Sequence, residues 1–151
     1  MRWVYLANET DVPFWTSDHP VGRYNDVEPG PRGNLGLRCH GIQLYLPLSP
    51  IASLCACDPV MYGALPSRAV VERENVVFLN SLAVVTSSRY LFSSGPDFAL
   101  AESMIADDQE LADPLRRRTR VGGPAVGADR AGDKQMIGQD TVPPFKPPLF
   151  R

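Results

Sequence analysis

The chain of 151 residues has the length of one ordinary domain, enough to bury about two-thirds of the surface its unfolded form exposes. Apolar residues make up 44% of it, beside 12 Gly and 15 Pro. That composition excludes a collagen-like or low-complexity chain and places the surplus Gly and Pro in loops and tails. The net charge of -2 conceals two materials: residues 1–115 carry seven Arg and no Lys against 14 Asp and Glu, whereas residues 116–151 carry eight Lys and Arg against three Asp.

In chain order, the aromatic and β-branched run Arg2–Ala7 reads as a strand ended by the turn formers Asn8 to Asp11. Val12–Thr16 resumes the same chemistry, which predicts a hairpin with the first run and places Pro13 at a strand start or an edge. Ser17-Asp18-His19-Pro20 follows as a turn, because Asp can bond its own downstream amides and Pro20 steers His19 away from helix. Residues 25–38 hold five Gly and Pro and read as an exposed loop. Ile42, Leu44, Leu46 and Leu48 then alternate on one face, a strand whose Pro47 demands an edge or a bulge. Past the Ser49-Pro50 kink, Ile51–Cys57 is a strand of small residues stopped by Asp58-Pro59, and the two runs should pair antiparallel.

Residues 72–88 admit two readings. As a helix they place Glu74, Ser81 and Ser88 on one polar stripe opposite Phe78, Leu82 and Val85. As a hairpin they would turn at Asn80-Ser81. Glu72 and Glu74 suit a helix N-terminus and favour the first. Arg89–Phe92 reads as a returning strand, and Asp97 can cap a helix running to Pro114. From Arg116 the chain has few apolar residues and much Gly and Pro, so disorder is expected from about residue 115. The fold expected is α+β: a small antiparallel sheet in one layer, roofed by 72–88 and one further helix, over residues 1–115, with a disordered basic tail at 116–151.

The residues able to carry chemistry are Asp18, His19, Cys39, His40, Cys55, Cys57 and Asp58. Zinc sites use spaced pairs such as CxxC, whereas Cys39 and His40 are neighbours and Cys55 and Cys57 have one spacer. No metal site is assigned, and the two later cysteines read as small buried hydrophobes. Asp18, His19 and His40 are weak candidate catalytic residues, since carboxylate and imidazole together hold a cation and activate water. An Asp bonded to its own turn's amides is the stronger reading for Asp18. Neither a nucleophile elbow nor a phosphate-binding Gly loop is present, so no cofactor is expected.

Arg116-Arg117-Arg118-Thr119-Arg120 lacks interleaved aromatics and reads as a solvated tail rather than a nucleic-acid site. Pro143–Pro148 can form polyproline II and dock in an aromatic groove, although proline-rich ends are common and mostly idle. An odd, sparse set of cysteines argues for reduced thiols and a cytoplasmic home. The opening residues do not read as a signal peptide, and no run approaches a membrane span.

Trp3, then Phe14-Trp15-Thr16-Ser17-Asp18-His19-Pro20, then Leu46-Pro47-Leu48-Ser49-Pro50, then Asn80 followed by Arg89-Tyr90-Leu91-Phe92-Ser93, form an ordered series. Over residues 2–94 it resembles the C-terminal half of an uncharacterised prokaryotic family, domain of unknown function 4238. Its motif positions here are Thr16, Ser17, Asp18, Pro20, Pro47, Leu48, Ser49, Pro50 and Asn80. The resemblance implies no activity. It does imply a largely helical N-terminal half that this chain lacks, and hence a truncated or split domain with an uncovered apolar face that self-associates or takes a separate protein. The function expected is a non-catalytic or partner-dependent module of a bacterial protein. The alternative is a metal-dependent hydrolase, nuclease or defence-type effector using Asp18, His19 and His40.

Overall fold

The computed structural model describes residues 1–27 and 33–115; the tail and part of the 25–38 loop, where disorder and exposure were expected, lie outside the described residues. Seven strands and three helices follow one another: β1 (Arg2–Asn8), β2 (Thr16–Ser17), β3 (Gly22–Tyr24), β4 (Gln43–Ser49), β5 (Ala52–Cys57), α1 (Pro59–Tyr62), β6 (Arg68–Val71), α2 (Arg73–Thr86), β7 (Leu91–Phe92) and α3 (Ala99–Asp107), with a 3-10 turn at Gln109–Ala112. Five strands form one sheet in the order β3-β4-β5-β1-β6, and β2 and β7 form a separate ribbon. The architecture is α+β.

The predicted β4–β5 pair is present and antiparallel, with Tyr45 opposite Cys55 and Leu46 opposite Leu54. Pro47 is accommodated as its missing donor requires: β3 reaches only as far as Tyr45, and the register shifts between Pro47 and Ser49. The predicted hairpin between residues 2–7 and 12–16 does not form. Both edges of β1 are taken, by antiparallel β5 and by parallel β6. The sheet is therefore mixed rather than wholly antiparallel, and β6 is a strand that the short run Ala69-Val70-Val71 did not announce. Asn8 closes the turn instead, its amide donating to the Val12 and Pro50 carbonyls and accepting from Thr10.

Residues 73–86 form α2, the helix of the two readings. Asn80 and Ser81 are 1% and 0% exposed, positions that a hairpin turn could not occupy. Ser81 thus leaves the polar stripe assigned to it, its hydroxyl donating to the Phe78 carbonyl at 2.7 Å. One flank of α2 packs Phe78, Leu79 and Leu82 against Val4, Leu6, Tyr45, Cys55 and Cys57 of the sheet. The other meets Trp15, Ala101, Met104 and Leu111 in a second core, where the Trp15 and Phe98 rings lie 5.1 Å apart. Asp97 accepts from the Ala99 amide at the start of α3. The helix stops at Asp107 rather than running to Pro114, since adjacent Asp107 and Asp108 oppose the negative end of its dipole.

Phe78 is 2% exposed and meets Tyr24 edge-on at 4.9 Å. Phe78→Ala should destabilise the chain by about 3–5 kcal/mol, read as a lowered urea midpoint.

Candidate functional site

The motif residues converge, and what they build is a brace. Asn80 projects from α2 towards the irregular segment 13–15, where its Oδ1 accepts from the Trp15 amide at 2.8 Å and its Nδ2 donates to the Pro13 carbonyl at 2.9 Å. One side chain thereby satisfies two buried backbone groups that have no strand beside them. The Phe14 amide between them donates to the Pro50 carbonyl, which ties the same segment to the kink after β4. Ser17 closes its own turn, accepting from the His19 amide and donating to the His19 carbonyl. Thr16 pairs with Phe92 across the β2–β7 ribbon. Pro20 and Leu48 are exposed.

Asp18 does not bond its own turn's amides, as the sequence suggested. Its two oxygens accept from Ser88 and Arg89, at 2.8 and 3.1 Å, capturing the chain as it leaves α2. Burial pulls its carboxyl up, but those two amides and nearby His19 outweigh it and hold the group below the usual carboxylate range.

Asp18 and His19 form one loose pair at 3.7 Å. His40 belongs to another, its Nδ1 lying 2.9 Å from Asp58 Oδ2. Asp58 also accepts from the Gly41 and Val60 amides, which lower its pKa. Gly41 must be glycine here: its φ is +79°, and an added Cβ would strike the Val27 side chain and the Asn25 side-chain oxygen Oδ1. Among the described residues no group of three or more His, Cys, Asp or Glu side chains is placed to hold a metal ion. The shared Asp18, His19 and His40 site is therefore not assembled, because His40 is committed to Asp58.

Cys39, Cys55 and Cys57 are free thiols, and the last two are fully buried in the sheet core. Contact with Cys57 and burial together push the Cys55 thiol far up, away from nucleophilic use. Beside them, Tyr45 donates to Gln43, Gln43 donates to the Tyr62 hydroxyl, and that hydroxyl donates to Asp26. Burial and Asp26 push Tyr62 up to about 12. This chain of bonds lets Gln43, 1% exposed, and Tyr45, 3% exposed, occupy the side of β4 that faces α2.

The consequence is the least expected feature of the molecule. Side chains alternate across a strand, so Leu44 and Leu46 of the expected stripe point away from α2, whereas Ile42, just before β4, is buried and Leu48 lies exposed in the register shift. In register beside them stand Leu54 and Ala56 of β5, Trp3 and Tyr5 of β1, and Val70 of β6. Ala56 is buried at 2% exposed, and the others belong to neither core. Trp3 is 58% exposed and Val70 48%. The helices that bury apolar residues do so on the opposite side, and this face is apolar across β4, β5 and β1 and edged by exposed Arg23 of β3, opposite Leu44, and exposed Arg68 of β6, opposite Tyr5. The largely apolar runs of β1 and β5 have the pattern of strands covered on both sides.

A family model described as a protein of unknown function (DUF4238) matches residues 1–97. No curated protein and no solved structure matches the chain.

Asn80→Ala should cost about 2–3 kcal/mol, since it orphans the Trp15 amide and the Pro13 carbonyl together, and urea unfolding measures it. The depressed Asp18 and Asp58 carboxyls contribute stability that is present above their unfolded pKa, about 3.9, and lost as pH falls through the lower folded values. Thermal midpoints should therefore hold above about pH 5 and fall below about pH 4, less steeply in Asp18→Asn.

Proposed function

Because the chain belongs to the family of unknown function DUF4238, whose description names no activity, we propose from geometry that it is a non-catalytic module that works by docking through the outer face of its sheet. The observation that carries this reading is the uncovered face of Trp3, Tyr5, Leu44, Leu46, Leu54 and Val70. The separation of Asp18 and His19 from the His40–Asp58 pair gives no support to a metal-dependent hydrolase or effector using those residues together.

The occupant is a second copy of the chain. The 27 strand residues of the sheet, at about 4.8 Å between strands and about 3.4 Å along them, make a face of roughly 440 Å². Two such faces pressed together bury roughly 900 Å², the size of a weak, reversible contact. Sheets pack face to face in this way at about 10 Å when both inner faces are apolar. The setting is a bacterial cytoplasm, supported by three free thiols. Among the described residues no helix is long and apolar enough to cross a membrane.

Light scattering across a concentration series should show a reversible dimer. Leu54→Glu places a charge at the centre of the face and should weaken dimerisation by about 2 kcal/mol or more, roughly thirtyfold in Kd. Its thermal midpoint as a monomer should stay close to that of the parent. A parent chain that is monomeric at every concentration would overturn self-association, and binding of an apolar dye abolished by the same substitution would then mark the face as open to a different polypeptide.

A further inference from the structure

A second exposed surface lies on the β2–β7 ribbon. Leu91 faces inward onto the second core, whereas its neighbours Tyr90 and Phe92 face outward, 60% and 53% exposed. Their rings stack at 6.2 Å with 29° between planes. The Asp18 amide donates to the Tyr90 carbonyl, so Asp18 lies across the ribbon from Tyr90, its carboxylate, 23% exposed, accepting from the Ser88 and Arg89 amides, with exposed His19 next to it. Stacked aromatic rings flanked by a carboxylate suit a proline-rich, basic, extended peptide: prolines lie against the ring faces with little entropy to lose, and a lysine meets the carboxylate.

The chain itself contains one such segment, Pro143-Pro144-Phe145-Lys146-Pro147-Pro148-Leu149-Phe150. In polyproline II form, one turn of about 9 Å would set Pro144 and Pro147 on a common side, with Lys146 between them. We propose that the outward side of β7 is the docking surface for this segment of the same chain. Three observations select it. The described residues end at exposed Leu115, four residues past Leu111, which is buried in the second core that Leu91 also packs against. The 27 residues between Leu115 and Pro143 can span up to about 90 Å, so reach is no obstacle, and tethering supplies an effective concentration in the millimolar range that a weak contact needs. Charge also favours it, since residues 116–151 are net positive and residues 1–115 net negative.

The full chain permits a direct test, because its two lysines, Lys134 and Lys146, both lie in that last segment. Zero-length carbodiimide coupling followed by mass spectrometry reports which carboxylates each lysine meets. An equal mixture of isotope-labelled and unlabelled protein separates links within a chain from links between copies. The expected result is a Lys146–Asp18 link within one chain that is lost in the double variant Tyr90→Ser/Phe92→Ser. Both replaced residues are exposed, so circular dichroism should show an unchanged fold. Leu54→Glu should leave this link in place, which keeps it separate from dimerisation through the sheet. Lys146 links scattered over Glu9, Asp11, Glu72 and Glu74, or a Lys146–Asp18 link indifferent to the ring substitutions or found only between copies, would overturn the proposal.

Discussion

The arrangement of this molecule depends on the carboxamide of Asn80. The segment 13–15 runs beside α2 with no neighbouring strand to receive its polar backbone, and burying an unpaired amide or carbonyl there would cost more than the packing returns. Asn80 supplies one acceptor and one donor from a single side chain, 2.8 and 2.9 Å away, and so stands in for the missing strand. With that segment held, Phe14 enters the sheet core and Trp15 the second core, on opposite flanks of the same helix.

Asn8 and two motif residues, Pro50 and Asp18, extend the same brace. Asn8 and the Pro50 carbonyl hold the near end of the segment, and Asp18 grips the amides where the chain leaves α2. Residues that in isolation suggest chemistry, an Asp beside a His and a buried Asn, are engaged in backbone capture. The buried Tyr45, Gln43 and Tyr62 bonds do a related job, because they let polar side chains occupy the helix-facing side of β4. The apolar stripe of that strand is then left on the outside. The outer face is thus a consequence of how the core satisfies its polar groups, and it gives the sheet the character of a middle layer with one cover in place.

Much was legible in the sequence. The β1, β4 and β5 runs, their bounding Pro and Asp residues, the bulge at Pro47 and the helix over 72–88 follow from periodicity and from the donor that proline lacks. The short strand β6 was not legible, since four residues carry too little pattern and its place depends on which edge of β1 remains open. The hairpin expected from residues 12–16 failed for the same reason: local chemistry is indifferent to whether a strand's edges are already occupied.

What the amino-acid sequence determined by itself is therefore local: which stretches are extended or helical, and where they stop. Tertiary structure alone decided which side of β4 faces α2, that Asp18 serves amides seventy residues away, and that His40 pairs with Asp58 rather than with His19. Alternation states that two faces differ but not which one meets the helix. That choice rests on long-range hydrogen bonds between side chains and backbone groups, whose partners adjacency in the chain does not reveal.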